Sequence, residues 1–281
     1  MEINEAWSEI VPNFVKYPYL AYKRRHFLQY WLKRGALLMG RGKSDVVILG
    51  RSAVGKSLLT DRLRGLPGDL NWVAPGISRS VESAVLRAGS KPMIIRTIPG
   101  QVSRERDAGI HEAMSEHNHL RGVIYVADWG YTDVRDESVR RDQIDREGID
   151  TLEKVRQSNL TAEVADFNEV TLRIRESIAR CGKPVWLLIV VNKADLFFDR
   201  MDEAQAYYHP QLESAFTAPL RRLIEHVGNN NLRCNAVPVC SWLEDFSWNN
   251  ETEQSKMGEG QARLLFKNLH QKVAQLSDSE S

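Results

Sequence analysis

Gly50, Gly55, Lys56 and Ser57 stand at the spacing G-x-x-x-x-G-K-S within Gly50-Arg51-Ser52-Ala53-Val54-Gly55-Lys56-Ser57, with Leu58 next. Residues of these types at this spacing suit the cradling of a phosphate chain. Two glycines let the backbone turn tightly and approach an anion without an intervening Cβ. The N–H groups between them converge on anionic oxygens. Lys56 has the reach for β- and γ-phosphates, and Ser57 offers its hydroxyl to Mg²⁺.

Asn192-Lys193-Ala194-Asp195 is the second chemical signal. A carboxylate beyond the end of a buried strand can accept from both N1–H and the 2-amino group of guanine. Adenine offers no such donor pair. A site built around two donors leaves buried groups unpaired when they are missing, which discriminates by about 10⁴ or more. Lys193 can lay its stem over the base, and Asn192 can tie this loop to the phosphate loop. GTP and GDP are therefore the expected ligands.

These residues need a scaffold that brings distant loops to one edge. Asp45 to Leu49 is a short apolar run that reads as a buried strand, and Ser57 to Leu66 reads as a helix ended by Gly65 and Pro67. Strand, glycine loop, helix aims a helix N-terminus at the phosphate. Leu66 to Ser80 reads as a loop. Val81 to Arg87 and Met93 to Ile98 read as a hairpin, Arg104 to His119 as a helix, and Gly122 to Asp128 as a third apolar strand. Apolar positions between Tyr131 and Arg180 recur at helical spacing over two or more helices. Pro184 to Val191 is apolar throughout, as a parallel strand should be. Residues 203–227 read as helix, Cys234 to Val239 as the last strand, and Lys256 to Gln275 as a closing helix before a polar tail at 277–281. The alternation predicts an α/β fold: a doubly wound, mostly parallel sheet of about six strands with helices on both faces. Ligands then bind at the carboxyl ends of the strands.

With GRSAVGKS at 50–57, TIPGQ at 97–101, NKAD at 192–195 and a last base loop at Val239-Cys240-Ser241-Trp242, the sequence resembles the Ras-like small GTPases. The resemblance spans roughly 45–276, with an N-terminal extension at 1–44 and a helical insert at 131–180. It implies that Gly100 donates its N–H to the γ-phosphate and that Gln101 orients the attacking water. Orientation and charge stabilisation are what phosphoryl transfer needs from a protein. It further implies GTP hydrolysis, a molecular-switch role, and an activator or effector that reads segments 66–80 and 100–119.

The departures from the family pattern carry information. Thr97 replaces the usual aspartate that holds Mg²⁺ through water. Thr-x-Pro-Gly-Gln after a hairpin, followed by Val123-Ile124-Tyr125-Val126-Ala127-Asp128, looks most like the bacterial MglA-type branch, which controls polarity and motility and pairs with a roadblock-type activator. No threonine lies between Asp61 and Lys91 to serve the first switch. Ser78 and Ser80 are the hydroxyls available for the metal there, with Ser78 preferred. Arg79 between them is either an arginine finger in cis or a solvated loop residue. Ser52 would crowd the γ-phosphate side and slow turnover. Arg104 and Arg106 either bind a partner on the second switch or are a plain exposed helix start, the latter preferred. His111, His117 and His119 are either a metal site, which no cysteine or second cluster supports, or a solvated face of the same helix, the latter preferred.

A net charge of +1 over 281 residues gives no reason to expect nucleic acid as a partner. Three cysteines without metal-type spacing suit a reduced compartment, and no secretory signal is visible at the start. The longest apolar run, Val185 to Val191, is too short to span a bilayer. The expected location is the cytoplasm. Residues 19–39 are aromatic, basic and helical in pattern; they either pack on their own domain, dock on a partner or touch a membrane surface.

Overall fold

The computed structural model describes residues 45–65, 80–88, 91–115 and 120–278, together with Leu32 and Gly35. The expectations for the 1–44 extension, for the loop 66–79 with Ser78 and Arg79, and for His117 and His119 lie outside the described residues.

Six strands form the central sheet: β1 (Val46–Leu49), β2 (Glu82–Ala88), β3 (Lys91–Thr97), β4 (Gly122–Ala127), β5 (Trp186–Val191) and β6 (Arg233–Pro238), in the order β2-β3-β1-β4-β5-β6. Only the β2–β3 pair is antiparallel; β3, β1, β4, β5 and β6 run parallel. Parallel neighbours need crossovers, and these are helices. They are α1 (Lys56–Leu63), α2 (Arg104–Ser115), α3 (Glu137–Asp145), α4 (Leu152–Cys181), α5 (Met201–Tyr208) and α6 (Thr217–Val227). The last helix, α7 (Glu259–Asp278), follows a small hairpin of β7 (Phe246–Trp248) and β8 (Glu251–Glu253).

Alternation along the strands divides the core. Val47, Leu49, Val123, Tyr125, Leu187 and Ile189 face the side covered by α2, α4, α5 and α6. Val46, Ile48, Ile124, Val126, Leu188 and Val190 face α1 and α7. Strands buried on both faces are why the sequence there is continuously apolar. Each such side chain contributes about 1.5–3 kcal/mol on burial.

The helix α4 has 30 residues, which is roughly 45 Å at 1.5 Å per residue. It carries the chain from β4 back to β5. Thr151 caps its start by accepting from the Lys154 N–H, and Gly182, left-handed at φ 64°, ends it. The stretch 131–180 thus contains this crossover as well as the shorter α3.

Two sequence expectations change. The single helix foreseen over 203–227 is two helices, because Pro210 forces the residue before it, His209, to an extended ψ of 124°. The closing helix runs on to Asp278, so Ser277, read as tail, is helical and buried, with its hydroxyl 3.2 Å from Met93 Sδ. The β7–β8 hairpin was not foreseen, since three-residue strands carry too little pattern. Its turn holds Asn249 at φ 51°, a backbone conformation asparagine tolerates.

Candidate functional site: a phosphate loop joined to two base-side loops

The phosphate loop leaves β1 at Leu49 and enters α1 at Lys56. Gly55 sits at φ 90°, and a Cβ there would lie 2.3 Å from Asn192 Nδ2. Glycine is required on both counts. Asn192 uses the space: its Nδ2 donates to Val54 O at 2.8 Å, and its Oδ1 accepts from Ser241 N–H at 3.0 Å. One buried amide therefore joins three loops. Arg62 on α1 reinforces the third, donating to Cys240 O at 2.9 Å and Ser241 O at 2.8 Å.

Lys56 is buried and curls over its own loop, donating to Gly50 O at 3.0 Å and Arg51 O at 2.7 Å. Burial lowers its pKa from 10.5 to about 7. Arg51 turns away to α4, donating to Asn159 O and Oδ1 at 3.1 and 3.3 Å. Ser52 N faces Gly100, where a Cβ would lie 2.3 Å away. The chain after β3 thus runs directly against the phosphate loop, and only glycine allows that approach. Ala53, at φ 62°, completes the turn.

Thr97 is buried at the end of β3, with its hydroxyl 2.8 Å from that of Thr60. Thr60 donates its own proton to Lys56 O at 2.9 Å, so Thr97 is the donor in the pair. The residue standing in the aspartate's place is thereby engaged inside the protein. Gln101 and Val102 beyond it are exposed.

On the base side, Asp195 is almost fully buried. Its carboxylate accepts from Cys240 Sγ–H and Glu244 N–H, both at 3.2 Å. Burial first, and then the Asp195 charge, push the Cys240 thiol well up, so it stays a donor. Lys193, at φ 59°, places its ammonium 3.0 Å from Asp128 Oδ2 and donates to Tyr131 O. Asp195, Lys193, Asn192, Leu58, Ser241 and half-exposed Trp242 border a cavity of about 280 Å³. A second cavity of about 700 Å³ adjoins it on the phosphate side, bordered by Arg51, Ser52, Gly100 and Gln101 among others. Of the other described residues expected at the site, Val54, Lys56 and Cys240 bond to residues that border these cavities, while Gly50 and Ser57 flank them in the phosphate loop and the first turn of α1.

Sequence reasoning missed a buried polar layer beneath them. Arg106 is not part of an exposed helix start: it is buried and ion-paired with Asp166 of α4. Asp166 also accepts from Tyr125 OH at 2.8 Å. Glu163, one turn earlier, accepts from Tyr208 OH at 2.5 Å and Asp128 N–H at 3.2 Å. Burial and the nearby Asp128 charge raise the Glu163 pKa from 4.5 to about 8. The signal was there: Asn159, Glu163 and Asp166 continue the buried stripe of Val155, Phe167, Val170 and Ile174 at spacings of three and four.

A six-stranded, mostly parallel sheet with this loop, and a carboxylate facing the base-side cavity, define a P-loop GTPase domain. The chain belongs to the family described as 50S ribosome-binding GTPase, whose model matches residues 45–193, more than half of its length. No curated protein matches it. Among solved structures, the mammalian SRP receptor is similar at 14% identity and a TM-score of 0.43, over 82% of this chain and 98% of that one. A dimerization-deficient mutant of Toc33 from Arabidopsis thaliana is similar at 14% identity and a TM-score of 0.39, over 91% and 92%. Among the described residues, no helix is long and apolar enough to cross a membrane.

Proposed function

We propose that the protein binds GTP at these two cavities, hydrolyses it to GDP and phosphate, and acts as a nucleotide-dependent switch. The observation that carries this reading is the Asn192 side chain. It bonds the phosphate loop to the last base loop, beside a buried carboxylate suited to two guanine donors. In this reading Asp195 exchanges its Cys240 and Glu244 partners for the base. Lys56 swings from its loop carbonyls to the phosphates, and exposed Gln101 orients water.

The residues present fit Mg²⁺ only as a metal–nucleotide complex. Ser57 lies in the first turn of α1, whereas the Thr97 hydroxyl is engaged with Thr60. One protein oxygen suffices when phosphates and waters complete the octahedron, and the ion then neutralises phosphate charge. Among the described residues no cluster of His, Cys, Asp and Glu could hold a metal by itself.

The finer assignment follows the motifs: a Ras-like switch, nearest the bacterial MglA-type branch, in the cytoplasm, with a protein activator or effector at segments 66–80 and 100–119. The engaged Thr97 favours a second reading, a module that holds guanine nucleotide with little turnover.

Phosphate release from purified protein with Mg²⁺ separates these readings. The expected result is release from GTP and not ATP, lost in Lys56→Ala and Gln101→Ala. Tight GTP binding without release, abolished by Asp195→Asn, would favour the module. Release from ATP would overturn the guanine assignment.

A further inference from the structure

Between β4 and α3 the chain runs along the boundary of the two cavities, and it is held there from both sides. Thr132 donates to Asp128 Oδ1 at 2.8 Å, and Asn159 Nδ2 donates to Gly130 O and Thr132 O at 3.0 and 2.9 Å. Asp133 is paired with Arg140 at 2.6 Å, and Asp136 caps α3 by accepting from Ser138 N–H at 2.9 Å. Arg135 lies between these clamps with an exposed side chain.

The cations near the phosphate loop are otherwise committed. Lys56 bonds its loop carbonyls, Arg51 bonds Asn159, Arg106 pairs with Asp166, Arg140 with Asp133, and Lys193 with Asp128. Among the described residues, Arg135 is the one cation that borders both cavities and makes neither a hydrogen bond nor an ion pair. The residues common to the two cavities are Ala53 of the phosphate loop, Asp133 and Arg135. A ligand with its base in one cavity and its terminal phosphate in the other must cross that boundary. The neighbouring Asp133 charge is already paired with Arg140 and Asp136 is engaged as the α3 cap, so neither holds the Arg135 guanidinium back from a phosphate chain. A planar fork of donors suits phosphate oxygens bidentately.

From this juxtaposition we infer that Arg135 supplies, within the same chain, the guanidinium that contacts the terminal phosphates of the bound nucleotide and offsets the charge that grows there during transfer. This rests on the GTP reading above and adds a residue that no motif marks. The clamps at Gly130, Thr132 and Asp136 fix the backbone from which this side chain reaches out, and contact with the phosphates orders its guanidinium.

The test uses the full chain, fluorescent GDP, and GDP with aluminium fluoride as a mimic of the transferring phosphoryl group. Wild type is compared with Arg135→Ala and Arg135→Lys. The expected result for Arg135→Ala is GDP affinity within about threefold of wild type, about tenfold or more lost in the aluminium fluoride complex, and roughly 10³-fold slower single-turnover hydrolysis. Arg135→Lys should recover only part, because an ammonium lacks the planar fork. Equal losses for GDP with and without aluminium fluoride would overturn the inference, as would no loss in either. A wild-type protein that binds GDP but forms no aluminium fluoride complex would also overturn it. A wild-type protein that binds no guanine nucleotide would sink the GTP reading itself, a result distinct from all of these.

Discussion

At the residue scale the buried groups of the site already have internal partners. Lys56 illustrates the consequence for pH. Its pKa in the folded protein is about 7 against an ordinary 10.5. Between those values the folded chain holds fewer protons than the unfolded chain, so stability from this group rises with pH across the window. Anionic phosphates beside the ammonium reverse the shift. Nucleotide binding within the window should therefore take up a proton, and affinity should fall as pH rises from 7 towards 10.5. Calorimetry of GDP binding at about pH 8.5 in two buffers of different ionisation enthalpy reads the uptake, which should approach one proton. Heat that is independent of buffer would contradict this account. Glu163 acts in the opposite sense over 4.5 to about 8, where the folded state keeps a proton that the unfolded state releases, and stability falls with rising pH.

Residue-scale legibility in the sequence was uneven for a physical reason. The phosphate loop is legible because its chemistry depends on spacing within eight consecutive residues. Asp195 is legible because it closes the run Asn192-Lys193-Ala194-Asp195 just beyond an apolar strand. Arg106–Asp166 and Lys193–Asp128 each join residues that only the fold brings together, 60 and 65 positions apart. No local pattern announces them. Arg106 looked solvated because its own helix start is polar, and its partner belongs to another helix.

At the element scale, α2 and α4 matter most. Both pack on the same face of the sheet, and the buried Arg106–Asp166 pair ties them together. Removing one partner of such a pair leaves the other charged and unsatisfied. Arg106→Ala should therefore cost about 3–5 kcal/mol, whereas Arg106→Met combined with Asp166→Leu should recover most of that. Denaturant unfolding of the three variants would decide it; additive losses in the double variant would show that the pair is not the source of the cost. The helix pattern of α4 was readable; the interruption at Pro210 between α5 and α6 was not, because apolar spacing continued on both sides of it.

At the scale of the whole molecule, the α/β class was legible from alternating strand and helix patterns and from uninterrupted apolar strands. The strand order was not, since pairing partners leave no mark on a single sequence. The switch proposal belongs to this scale. Hydrogen exchange with GDP should differ from exchange with a non-hydrolysable GTP analogue in segments 66–80 and 100–119. Within the second segment the difference should concentrate before Arg106. Identical exchange in both segments would remove the switch from the proposed function.

The far end of α2 explains that last expectation. Ser177 Oγ donates to Met114 O at 2.8 Å, and Arg180 donates to the same carbonyl at 3.3 Å. The helix is thus pinned near both its first and last turns to a rod of 30 residues. Mechanically, the two helices are tied to each other as one beam. These ties oppose an outward swing of α2, and residues 100–103 lie outside them. A partner reading this edge would sense the shape of a four-residue strip whose most prominent feature is Val102, 90% exposed. In the switch proposed above, the signal would leave the domain as altered surface texture at this strip.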